Sequence, residues 1–310
     1  MIAALLVPLL MPFAAPTLVR WTGPRLRPTA ALWALTATAC VLAGAWLAAL
    51  GGLLLAGGLT VSALARLGHL IRPLDVAPAV VAYPVTAFAV GALAVCAYTV
   101  TRSALRQYRQ YRTAHSQLRN APTAGDLSVL DRPDADAYAL PGNPGRIVVT
   151  SGMLRALDGP EREALLAHER AHLAGRHHYF LATADLATRC HPAMRQLRDA
   201  IALAVERVAD EAAATAVGDR LLTARAIGRA ALAGATGRPA RPAFAARAAG
   251  GPVPQRVKAL LQPAATHHRL AVAAGCLLLA CSAATTAATA VGLASLHSSV
   301  EIAQGETEHN

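Results

Sequence analysis

Charge is nearly absent from four long stretches of the chain and crowded into the segments between them. A helix that crosses a bilayer needs about 20 mostly apolar residues. The first stretch, 2–19, contains Pro8, Pro12 and Pro16 and predicts a proline-bent helix. No positive charge precedes it, so it lacks the basic start of a secretory signal peptide. The second lies within 29–58 and ends in LGGLLLAGG, whose glycines suit close helix packing in lipid. The third covers about 77–101 and the fourth about 270–294.

The remainder alternates between other periods. LSVLD, DAYAL and GRIVVTSG, between 127 and 152, read as short strands separated by RPDA and PGNPG turns. Residues 158–190 read as one helix. Asp158 and Glu161 form a capping-box pattern there, Pro160 suits the first turn, and Pro192 ends the run. Two further helices follow over 193–219 and 220–235, and 237–255, rich in Ala, Gly, Pro and Arg, reads as a mobile loop. The predicted fold is a mainly α integral membrane protein with three spans in 1–101. An α+β part with a small sheet follows over 102–268, then a fourth span and short tail over 269–310.

Composition agrees. Hydrophobic residues make up 55% of the 310 and charged residues only 15%, against about 25% in soluble domains. The net charge of +11 is almost wholly arginine, since Lys258 is the only lysine. Arginines 20, 25 and 27 follow span one. Arginines 102, 106, 109, 112 and 119 follow span three, and Arg256, Lys258 and Arg269 precede span four. The loop after span two has only Arg66 and Arg72, and the tail EIAQGETEHN has neither arginine nor lysine. By the positive-inside rule the N-terminus and tail lie outside and 102–268 lies in the cytoplasm. The arginine row after span three reads as a solvated helix extension near anionic headgroups. With no accompanying nucleic-acid motif, direct nucleic-acid binding is not expected. Of five cysteines, Cys40, Cys96, Cys276 and Cys281 lie in apolar stretches, and Cys190 forms no C-x-x-C with any of them. They read as small hydrophobes.

The chemistry concentrates in LLAHERAHLAG, 165–175. His168 and His172 are four apart on a predicted helix, so both imidazoles can reach one ion, with Glu169 beside them. A zinc ion held by three protein ligands keeps one position for water and lowers its pKa, and the glutamate can accept the proton. A chance H-E-x-x-H is expected about once in a hundred such chains, so the pattern alone could be a solvated helix face. A second pair, Glu206 and Asp210, is again four apart on a later helix. One carboxylate can ligate the metal while the other holds a ligand histidine through its remaining N–H. Glu211 points elsewhere.

H-E-x-x-H followed by E-x-x-x-D, among membrane spans, resembles the glutamate-zinc (gluzincin) membrane metallopeptidases. GRIVVTSGMLRALDGPEREALLAHERAHLAGRHH, 145–178, and ALAVERVADEAA are close to the pattern of the BlaR/MecR family of signal-transducing peptidases. The order of three spans, zinc domain and fourth span is similar too, over about residues 1–295. The resemblance implies one Zn2+ per chain, with His168, His172 and Glu206 as ligands, Glu169 as general base and Asp210 orienting a ligand ring. It also implies a bacterial membrane location and a cytoplasmic protein substrate, a winged-helix BlaI-like repressor. The strand 146–150 would resemble the edge strand that receives an extended substrate, or else be a core strand. His177, His178, Tyr179 and Arg207 are candidates for holding the oxyanion by nearness in sequence only.

Antibiotic sensors of that family carry a penicillin-binding domain after span four. Here about fifteen residues follow span four and no S-x-x-K occurs, since Gln255 stands three before Lys258. Direct β-lactam acylation is therefore not expected. Two alternatives stand beside repressor cleavage: an HtpX-like quality-control protease of membrane proteins, and a non-catalytic scaffold whose zinc is closed by Cys190 or His191. Self-cleavage within 237–255 is a further expectation, and a homodimer is an open option.

Overall fold

Runs with no polar face become long helices, and the computed structural model shows four apolar enough to cross a membrane: 4–25, 28–58, 80–117 and 269–304. It describes residues 2–60, 78–118, 122–235, 252–262 and 268–304. Arg66, Arg72, Arg119, the 237–251 part of the expected loop and the tail from 305 lie outside the described residues. The first span is bent as its prolines require. α1 (Ile2–Leu10) passes through a 3-10 turn, Met11–Ala14, into α2 (Ala15–Thr22), with Pro12 and Pro16 each in the first turn of the segment it opens. α3 (Pro28–Gly58) packs against α4 (Ala79–Gln117) and the last helix. At Gly57 the side chain of Thr86 on α4 fills the space a Cβ would need, so the glycine permits this close approach.

After α4 come β1 (Thr123–Ala124), β2 (Leu127–Leu130), β3 (Ala137–Leu140) and β4 (Arg146–Thr150), in the sheet order β1-β2-β4-β3. β2 pairs parallel with β4, and β1/β2 and β3/β4 pair antiparallel. The 146–150 strand is therefore interior, bonded on both sides, and the edge reading fails for it. The outer strands are β1 and β3, and β3, which packs against the helix Gly159–Ala174, has no strand partner on its second edge among the described residues. α5 (Ser151–Ala156) leads into α6 (Gly159–Ala174), α7 (His177–Cys190), α8 (Arg195–Val217) and α9 (Arg220–Ala235). The single helix expected over 158–190 is thus two. The chain turns at Gly175 and at Arg176, which takes the left-handed conformation (φ 49°). α10 (Val253–Leu261) takes the last residues of the expected loop, and α11 (His268–Gln304) closes the bundle.

Helices α7 and α8 share one core with the spans. Ala184 and Ala187 of α7 and Leu197, Ile201, Ala204 and Val205 of α8 bury against Ala31, Leu32, Leu35, Ala39 and Leu42 of α3 and against α2 and α11. Phe13 and Trp46 grip the α7–α8 turn by edge contacts to His191, with ring centroids 4.8 and 4.5 Å apart. Cut from its spans, the 102–268 segment would expose this apolar face. It should need detergent to remain monodisperse, as read by size-exclusion chromatography. A soluble, monodisperse segment in detergent-free buffer would contradict the shared core.

Candidate metal centre

α6 is anchored at its start by a reciprocal cap. Glu161 N donates to Asp158 Oδ1 (2.9 Å) and Asp158 N donates to Glu161 Oε2 (3.1 Å). Arg229 of α9 adds a 2.7 Å bond to the buried Glu161. The register so set turns Ala164, Leu165, His168, Glu169 and His172 inward, while Arg170 faces out to Asp126 at 2.8 Å. α8 crosses this face and presents Glu206 and Asp210, likewise buried.

His168 Nε2 and His172 Nε2 lie 3.0 Å apart. Glu206 Oε2 is 3.7 Å from the first and Glu206 Oε1 is 3.8 Å from the second. A tetrahedral zinc with bonds of about 2.0–2.1 Å spaces its donors about 3.3–3.4 Å apart, and the observed distances bracket that value. Two imidazoles and a carboxylate are also the donor types zinc takes at catalytic sites. Burial pushes both imidazoles down, His172 well below the usual histidine value, which leaves the lone pairs available to a metal. Asp210 Oδ1 stands 3.0 Å from His168 Nδ1. His177 Nδ1 stands 2.8 Å from His172 Nδ1. Both carboxylate oxygens of Glu169 are buried with no hydrogen-bond partner among the described residues. Burial raises that carboxyl to about 8, opposed by the nearby Ala139 amide of β3 and by Arg256.

Arg256 was expected to be an orientation charge before span four. It is instead fully buried. From α10 its Nε and Nη2 donate to Asp210 at 2.8 and 2.6 Å, and its Nη1 lies 2.9 Å from Glu206 Oε2. Burial opposes the charge of Asp210, and the bonds from Arg256 and His168 outweigh it, so its carboxyl is held below the usual range. A signal was present in the sequence: Arg256 shares a helical stripe with Val253, Val257 and Leu260, where an apolar residue is expected.

Other candidates part company with the site. His177 meets the nitrogen of His172 that faces away from the donor group, which does not suit an oxyanion role. Tyr179 is 62% exposed and stacks near His178, with centroids 4.1 Å apart. Arg207 Nε is buried with no hydrogen-bond partner among the described residues. Glu211 turns away to Arg220. Cys190 and His191, which could have closed a structural site, sit at the α7–α8 turn beside Cys96, Phe13 and Trp46.

The chain matches Peptidase family M48 over residues 103–195. That stretch holds His168, Glu169 and His172 and ends before Glu206. No curated protein and no solved structure matches. The match and the buried donor group together mark a membrane-associated zinc metallopeptidase whose residues 103–195 are similar to Peptidase family M48. Arg256→Met would leave two buried carboxylates without their cation. Breaking a buried ion pair costs about 3–5 kcal/mol, so a large fall in thermal unfolding temperature in detergent is expected. An unchanged temperature would mean that another group compensates the pair.

Proposed function

We propose that this protein is a zinc endopeptidase of the bacterial cytoplasmic membrane that cleaves extended protein segments presented at the membrane surface. The observation that carries this is the buried Glu169 carboxyl, without a hydrogen-bond partner among the described residues and next in sequence to one of three convergent metal donors; the charge of a bound zinc would favour its ionised form, the one a general base needs. His168, His172 and Glu206 hold the metal. Zinc, when bound, polarises the scissile carbonyl and lowers the pKa of the attacking water. Glu169 takes the proton from that water and passes it to the leaving amine. Asp210 fixes the ring of His168 through Nδ1. β3 runs past Glu169 with an unpaired edge, and an extended substrate would add to it as a further strand.

The membrane-surface part of the reading rests on a line of ring contacts. His172 touches His177 (4.8 Å between centroids), His177 touches Phe180 (6.5 Å), and Phe180 meets Trp33 edge-on (4.9 Å). Trp33 is 64% exposed near the start of α3, the position an interfacial tryptophan takes. This favours the HtpX-like reading, with membrane-associated or unfolded proteins as substrates. Cleavage of a BlaI-like repressor is the second reading, favoured by the order of three spans, zinc domain and fourth span and by the 145–178 pattern.

Glu169→Ala is expected to keep one zinc per chain by metal analysis and to lose cleavage by about 10²–10⁴-fold. Equal cleavage by both proteins would sink the mechanism. Run on unfolded membrane-associated proteins and on a winged-helix repressor, the same assay separates the two readings. The arginine distribution supports an orientation with the peptidase part in the cytoplasm and the tail outside. A reporter active only outside the cytoplasm should work when fused after Gln304 and fail when fused after Leu118; the reverse pattern would invert the topology.

A further inference from the structure

We infer that His177 is a positioning residue of the zinc centre, the partner that holds His172 as Asp210 holds His168. The inference rests on the proposed metal site and goes beyond it, because neither the H-E-x-x-H pattern nor the later E-x-x-x-D pattern contains position 177. An imidazole that ligates through Nε2 keeps its proton on Nδ1, and whatever accepts that proton sets the ring's tautomer and orientation. His168 and His172 both turn Nε2 toward Glu206. For His168 the group at Nδ1 is the Asp210 carboxylate, with Oδ1 3.0 Å away. For His172 the group at Nδ1 is His177 Nδ1, at 2.8 Å. His172 therefore donates, and His177 accepts on Nδ1 and carries its own proton on Nε2.

The backbone between the two rings is built for this contact. A continuous helix would carry residue 177 about 140° past the face of His172, since each residue turns about 100°. α6 instead stops at Gly175, and Arg176 takes a left-handed conformation, φ 49°, which costs a residue with a Cβ about 1–2 kcal/mol. The reversal brings His177 back against the end of α6, where the residue is only 2% exposed. A Cβ at residue 175 would stand 2.7 Å from His177 Cδ2 and closer still to Nε2. Glycine at 175 and the turn at 176 are thus both explained by the place the His177 ring occupies.

The test is zinc affinity, measured on the full chain in detergent by competition with a chromophoric chelator, together with the visible spectrum of the cobalt-substituted protein. Removing such an outer partner costs about 10–100-fold in metal affinity. His177→Ala should lose that much and shift the cobalt bands. His177→Asn, whose side-chain oxygen can sit where Nδ1 accepts, should recover most of it. Gly175→Ala keeps both histidines but displaces the His177 ring, so it should weaken zinc as His177→Ala does and add nothing to it in the double variant. It also carries the test if His177→Ala does not fold. A His177→Ala protein that is folded and binds zinc within about twofold of wild type would overturn the assignment. So would an Asn variant no better than Ala. A wild type without stoichiometric zinc would instead overturn the metal-site reading beneath it.

Discussion

Glu206 and Asp210 lie one turn apart on α8, both buried, and two carboxylates cannot stay ionised in such a place without compensating charge. Arg256 supplies it, with paired bonds to Asp210 and a third contact to Glu206. Much of the domain's arrangement follows from that requirement. α10 must return to α8 after the 237–251 segment, and it does so by packing along α9. α9 in turn reaches α6 through Arg229 and Glu161. The cation that neutralises the donor face and the cap that sets the register of His168 and His172 are thus joined through one helix.

The same helix faces two ways. Leu197, Ile201, Ala204 and Val205 of α8 pack among the spans, and Glu206 follows directly on the next face. From Ile201 to Glu206 is five residues, about 7.5 Å of axis. α7 is placed alike, with Ala184 and Ala187 against α3 and His177 at its start against His172. The division into spans and a separate water-facing domain is therefore a division of charge along the chain more than of packing in space. The turn of this helix pair is packed against the bundle through Phe13 and Trp46.

Most elements and the donor types were legible from local patterns along the chain. Long uncharged runs are long and apolar enough to cross a membrane, and burying an arginine in mid-bilayer, at about 2.5–3.5 kcal/mol, sets where they stop. The capping box at Asp158, the three short strands and the helix over 220–235 were legible because caps, turns and periodicity are local. His168 and His172 were legible because their spacing is local too, and Glu206 with Asp210 because a second four-residue pair stood out among few charges. What lay beyond was decided by contacts between distant segments. Strand order made β4 interior and left β3 as an outer strand, since pairing is a long-range choice that alternation along a strand does not encode. The break at Gly175 was hidden because glycine and arginine both occur inside helices, and only the packing of His177 shows why the chain turns there. Arg256, forty-six residues from Asp210, read as a membrane-orienting charge until the fold buried it. An arginine has the same formula beside a lipid headgroup or between two carboxylates, and only the tertiary structure chose between them.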